Sequence, residues 1–196
     1  MAKIKATANG SRQDVIIKKA AFLFRKKGFR AASMRELAEN MGVEAPSLYN
    51  HIGSKGELLQ SICFKIAALF MKQLEEVETR QVSIVEKLEQ LIRFHIRLML
   101  QLYDEVYVAN HEWKYLDEIS LSQFLAQRKL YEAKMIQLVK KGIRQNEIKN
   151  IHPQVAVLTI LSAVKGLEIL QKHKKEIGEA ELENSIAEYL VKGLIK

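Results

Sequence analysis

The chain has 196 residues, enough to bury a substantial core as one large domain or as a small and a medium one. Its 48% hydrophobic and 28% charged residues exclude a disordered chain, and a single cysteine, Cys63, excludes a disulfide framework or a cysteine metal site within one chain. The formal net charge of +8 is uneven: residues 1–56 carry eleven Lys/Arg against four Asp/Glu, which fits either a polyanion-binding module or a solvated basic arm.

No run of about 18 apolar residues exists, which removes a membrane-spanning helix, and no membrane partner is expected. The N-terminus lacks the apolar segment of a secretory signal, so the expected location is cytoplasmic. Two prolines and apolar residues recurring at three and four predict an all-α fold of about nine helices.

In chain order, residues 1–10 are expected to be a flexible tail. A first helix runs to Lys27 and stops at Gly28. Ser33-Met-Arg-Glu36 is a capping box that opens a short second helix ending at Met41, and Gly42 supplies a turn. A third short helix tolerates Pro46 in its first turn. A second capping box, Ser54-Lys-Gly-Glu57, starts a long helix to about Thr79. Further helices are expected near 82–103, 105–118, 120–145, 153–172 and 179–195.

Two short helices joined through Met41-Gly42-Val43 make a helix-turn-helix, whose second helix enters the DNA major groove. Ala45 and Pro46 permit close approach, while Ser47, Tyr49, Asn50 and His51 offer groups to phosphates and bases. Leu48 has to face inward against Leu37 and Leu23. The boundaries read this way are a tail at 1–10, a DNA-binding domain at 11–55 and a second domain at 56–196.

Residues 20–59 resemble the N-terminal domain of TetR-family transcriptional repressors. Ala20-Ala21, Leu23-Phe24, Gly28-Phe29, Ser33, Leu37-Ala38, Gly42-Val43, Leu48-Tyr49, His51, Ser54-Lys55 and Leu58-Leu59 carry the resemblance. Three positions depart from the family's pattern. Glu44 stands where Ser or Thr usually caps the recognition helix, Ile52 replaces Phe, and Gly56 replaces an acidic residue. The resemblance implies a homodimer that places two recognition helices in successive major grooves of a pseudo-palindromic, double-stranded operator. It also implies that Ser33 and Arg35 hold phosphates, that Ala45, Pro46, Ser47 and Asn50 face bases, and that Tyr49, His51 and Lys55 bind the DNA backbone.

In the same family the C-terminal helices form a ligand pocket and a dimer interface. The stripe Ile84, Leu88, Leu91, His95, Leu98, Leu102 is apolar except for His95, which is either a satisfied core histidine or a ligand contact. Arg128 falls on the stripe of Leu121, Phe124, Leu125, Met135 and Leu138 and is expected to point largely inward. There it meets Glu112, Asp117 or Glu118, or else an anionic ligand. Met99, Tyr103, Tyr107, Trp113, Phe124 and Tyr131 complete a candidate cavity lining, with plain core as the alternative.

Asn110-His-Glu-Trp-Lys-Tyr-Leu116, Arg128-Lys-Leu-Tyr131 and Lys141-Gly-Ile-Arg-Gln-Asn-Glu-Ile148 are similar to regulators that respond to acyl-coenzyme A thioesters. That likeness implies cations such as Arg93, Arg97, Lys134 or Arg128 at the coenzyme phosphates. Another small hydrophobic effector, or none, stays open. The helix from Pro153 is apolar on almost every side, so one face should meet a second subunit. The expected interface is Val157, Leu161 and Val164 with Leu182, Ile186 and Leu190 of the last helix, a four-helix arrangement.

No Gly-rich phosphate loop, HExxH pair or Gly-x-Ser-x-Gly elbow is present. An enzyme, a cofactor or a resident metal is therefore not expected. A non-specific architectural DNA-binding protein is the remaining rival.

Overall fold

The computed structural model describes residues 12–49, 52–169 and 174–195. The elements are α1 (Arg12–Lys27), α2 (Met34–Met41), α3 (Ala45–Tyr49), α4 (Lys55–Thr79), α5 (Ile84–Gln101) and α6 (Tyr103–His111). A 3-10 turn (Trp113–Tyr115) is followed by α7 (Glu118–Arg144), α8 (Pro153–Gly166), α9 (Lys174–Ile177) and α10 (Glu179–Lys192). Among the described residues no strand appears, as the helical periodicity requires. The helix expected at 105–118 is divided into α6 and the 3-10 turn, and α9 is additional. The expected tail at 1–10 lies outside the described residues.

Local signals set the first boundaries. Gly28, at φ +81°, ends α1, and its N–H bonds the Phe24 carbonyl at 2.8 Å. Ser33 caps α2 through the Glu36 N–H at 3.2 Å, and Glu36 Oε2 accepts from the Ser33 N–H at 3.1 Å. Gly42, at φ 67°, closes α2 by donating to the carbonyls of Ala38 and Glu39.

The chain divides into two compact units. One gathers the residues up to Ala67 with Asp104–Leu125; the other gathers Ala68–Tyr103 with Ala126–Lys196. Helices α4 and α7 contribute to both, so compactness does not follow the 55/56 division read from the sequence. In the first unit Ile16, Ala20, Leu23, Phe24, Leu37, Leu48, Leu58 and Leu59 are buried.

In the second unit α5 packs against α8 and α10, and Ile84, Leu88, Leu91, His95 and Leu98 are buried along one stripe. The α5 N-terminus is satisfied twice, by the Ser83–Glu86 capping box and by Glu147, whose carboxylate accepts from the Ile84 N–H at 2.5 Å.

Helix α8 corrects the expected dimer face. Val157 and Val164, with Ala156, Ile160 and Leu167, are buried within the chain itself, and so is Leu182 of α10. A side chain already covered by its own chain has no area left to give a second subunit. Leu161, Ile186 and Leu190 are half-buried. The face of α8 opposite the core instead exposes Val155 and Leu158, the latter 63% accessible, while Ile169 beyond its end and Tyr189 of α10 are exposed as well.

Candidate nucleic-acid interface

Within the first unit, α2 packs on α1 and α3 packs on α2. Leu48 is the anchor of α3: it is fully buried, as are Leu37 and Leu23, so α3 has one face fixed inward and the rest available. Tyr49, on the open side, is 51% exposed, Pro46 is exposed, and Ser47 is half-buried. Ala45 begins the helix. Asn50 and His51 lie outside the described residues. The Glu44 carbonyl accepts from the Ser47 N–H at 3.0 Å, which starts the helix through backbone.

At the start of α2, Ser33 is exposed. Arg35 extends into solvent with 86% of its side chain accessible, bonded only loosely to Glu39 at 3.1 Å, one turn away. Glu36 is committed inward to the cap and to Lys27. The Lys27 ammonium, then the Ser33 N–H, hold its carboxyl below the usual range.

Lys55 differs from its expected role at a phosphate. Its Nζ donates to the carbonyls of Phe29 at 2.9 Å, Arg30 at 3.3 Å and Ala32 at 2.9 Å, and it sits 4.5 Å from the centre of the Phe29 ring. An ammonium has three protons, and all three are occupied inside the chain. The carbonyls that end α1 and turn toward α2 supply the attraction. The neighbouring cap is also occupied from within: Ser54 Oγ accepts from the Glu57 N–H at 3.1 Å, and Glu57 accepts from the Gly53 N–H at 3.1 Å.

Glu112 and Tyr115, to which sequence reasoning gave no role at this turn, both face it. The Phe29 N–H donates to Glu112 Oε2 at 2.9 Å. Tyr115 stacks on the Phe29 ring at 5.6 Å and 17°, with the Arg30 guanidinium 4.9 Å from its centre. No local pattern marks a contact that spans 83 residues.

The candidate ligand residues do not form one cluster inside either unit. His95, Met99, Tyr103, Arg128 and Tyr131 belong to the second, and Tyr107, Trp113 and Phe124 to the first. His95 and Tyr131 are buried together, Nε2 to hydroxyl at 2.7 Å, with His95 stacked 4.1 Å from Phe70. Desolvation pushes the His95 pKa down to about 3 and raises that of Tyr131, so both stay neutral and satisfy each other. Met99 is buried, and Tyr103 and Trp113 are half-buried. Tyr107 lies 4.4 Å from the ring of His111, and Phe124 5.9 Å from that of Phe64.

Arg128 corrects its expectation. It is exposed, within an uninterrupted exposed run from Ala126 to Leu130, although Phe124 and Tyr131 on either side are buried. The stripe is periodic in sequence, but the side chains of that turn stay accessible, which spares the guanidinium the cost of full desolvation.

A basic, capped helix-turn-helix joined to a helical second unit defines the class of DNA-binding regulators. The family model for the N-terminal region, bacterial regulatory proteins of the tetR family, matches residues 16–62, and that for the Tetracyclin repressor-like C-terminal domain matches residues 81–194. The chain belongs to the TetR family of transcriptional regulators, which are DNA-binding transcription factors and not enzymes.

The HTH-type transcriptional repressor KstR2 of Mycolicibacterium smegmatis is 22% identical over 140 residues, covering 71% of this chain and 68% of that one. Among solved structures, AibR in complex with isovaleryl coenzyme A and operator DNA superposes with a TM-score of 0.78 at 27% identity, covering 94% of this chain and 98% of that one. KstR2 of Mycobacterium tuberculosis superposes with a TM-score of 0.85 at 16% identity, covering 99% and 100%, a likeness of fold. The coarse function is that of a TetR-family transcriptional regulator. No helix among the described residues is long and apolar enough to cross a membrane.

Proposed function

We propose that the protein acts as a homodimer, each protomer placing α3 in one of two successive major grooves of a pseudo-palindromic operator, and that an acyl-coenzyme A thioester releases it. The observation that carries the DNA reading is the split of α3, with Leu48 fully buried while Tyr49 beside it stands half exposed. Ser33 and Arg35 serve phosphates, Ala45, Pro46, Ser47 and Asn50 serve bases, and Tyr49 and His51 serve the backbone. The two copies meet through the open apolar face of α8, with Val155 and Leu158, and through α10 at Tyr189.

The thioester reading is supported by AibR, 27% identical and solved with isovaleryl coenzyme A and operator DNA. In the conformation described here Arg93 and Arg97 pair with Glu183, and Lys134 with Glu78 at 2.7 Å, so coenzyme phosphates exchange for those carboxylates on binding. Effector and operator then oppose each other by the same factor in both directions.

The test is fluorescence anisotropy on DNA from upstream of the protein's own gene, with random competitor, at two salt concentrations. The expected result is binding that survives competitor and is relieved by short-chain acyl-coenzyme A. Binding abolished equally by competitor and salt would leave a non-specific DNA-binding protein. Operator affinity indifferent to saturating thioesters would remove the effector reading alone.

A further inference from the structure

Between Gly28 and Ser33 the chain leaves α1 and enters α2 through a few non-helical residues. These residues set the direction in which α2, and α3 packed on it, depart from the rest of the first unit. Such a turn has several soft dihedrals, and only contacts from elsewhere can fix them.

The contacts are unusually complete. Lys55 holds the turn by the carbonyls of Phe29, Arg30 and Ala32. Glu112 holds it by the Phe29 N–H. The Phe29 ring is gripped between the edge of Phe24, at 5.2 Å and 80°, and the face of Tyr115. Arg25, in the last turn of α1, is paired with Asp104 near the start of α6, so the same two segments are fastened again nearby.

We propose that Glu112 and Tyr115 are positioning residues for operator recognition: with Lys55 they clamp the α1–α2 turn and so set the pose of the helix-turn-helix. Neither residue touches DNA in this scheme. The proposal rests on the operator reading above, whose failure would show separately as an unmodified protein that selects no duplex at all.

Charge gives the proposal a sharp test. Glu112 carries a formal negative charge in the unit that includes the basic first quarter of the chain, so by electrostatics alone its removal should tighten DNA binding. The clamp demands the opposite sign for Glu112→Ala, which deletes the acceptor, but not for Glu112→Gln, which deletes only the charge. The probe is a duplex recovered from a random-sequence pool by the unmodified protein, with a scrambled duplex of equal length beside it.

For Glu112→Ala the expected result is a loss of about tenfold in affinity for the selected duplex, the size of one charge-assisted hydrogen bond, with scrambled binding unchanged. Glu112→Gln should retain the affinity of the unmodified protein or exceed it. Tyr115→Phe should keep discrimination and Tyr115→Leu reduce it, and since Tyr115 is only half-buried these variants stand even where Glu112→Ala fails to fold. Tighter or unchanged binding by Glu112→Ala, or selected and scrambled duplexes weakened equally by Tyr115→Leu, would overturn the clamp.

Lys55→Met separates the two roles of the lysine. A clamp residue lowers discrimination and leaves the salt slope as it was. A slope reduced by about 0.9 would return Lys55 to a phosphate and remove it from the clamp.

Discussion

The two compact units are held by different forces and leave different surfaces open. In the first, a short turn is fixed by polar groups reaching it from 26 and 83 residues away, and the side chains left in water include Arg35 and Tyr49. In the second, an apolar stripe seals one polar pair, His95 and Tyr131, among aromatic rings, and the open residues include Val155, Leu158, Ile169 and Tyr189. Under the proposed function the contrast follows from what each surface meets. Reading DNA requires direction, which hydrogen bonds confer and dispersion does not. Joining two copies requires apolar area, for which helices need only be packed and turned outward.

Leu158→Glu attacks the comparison where the effect should be largest. In a symmetric dimer the change occurs twice, each costing about 2 kcal/mol of lost burial, so the dimer Kd should rise roughly a thousandfold. Sedimentation equilibrium measures it; undiminished self-association would take α8 out of the interface.

Acid should act next, on the second unit. His95 is held neutral down to about pH 3 against an ordinary value of 6.5, and the groups facing it are the Tyr131 hydroxyl and ring and the Phe70 ring. Above pH 6.5 folded and unfolded chains are both neutral there, and nothing changes. Below it the unfolded chain takes up a proton that the folded one refuses, so stability falls by up to about 1.4 kcal/mol per pH unit. Thermal melts between pH 7 and 4 should show this slope, and His95→Gln, which keeps a polar partner but does not titrate, should be shallower by one proton. An unchanged slope would mean that His95 already protonates in the folded chain.

Ser33→Ala is the smallest change. It removes the cap of α2 at an exposed site and should cost about 1 kcal/mol, with Ser33→Thr restoring most of it. Calorimetry that finds no loss would show that Glu36, with Lys27, holds the helix start without the hydroxyl.

The helix starts and stops of the first unit were legible because their causes are local. Gly28 and Gly42 adopt the left-handed backbone their positions suggested, the Ser33–Glu36 box forms, and Leu48 points inward as its place between polar neighbours required. The second unit was legible as helices but not as faces. Helix α8 is apolar nearly all round, so its sequence holds no phase from which to tell core from interface, and Val157 was assigned to the wrong side.

Arg128 shows the converse. Its phase was clear, yet periodicity reports only which residues share a stripe, and what lies over that stripe is decided by other elements. Lys55 and Glu112 mark the same limit for polar groups. The sequence by itself determined the class of fold, the helix-turn-helix and the basic character of the first quarter. Only the tertiary structure decided that a lysine beside a helix cap would turn inward and that a glutamate 83 residues away would meet the Phe29 amide, because such bonds depend on chain segments brought together by packing and leave no period in the sequence.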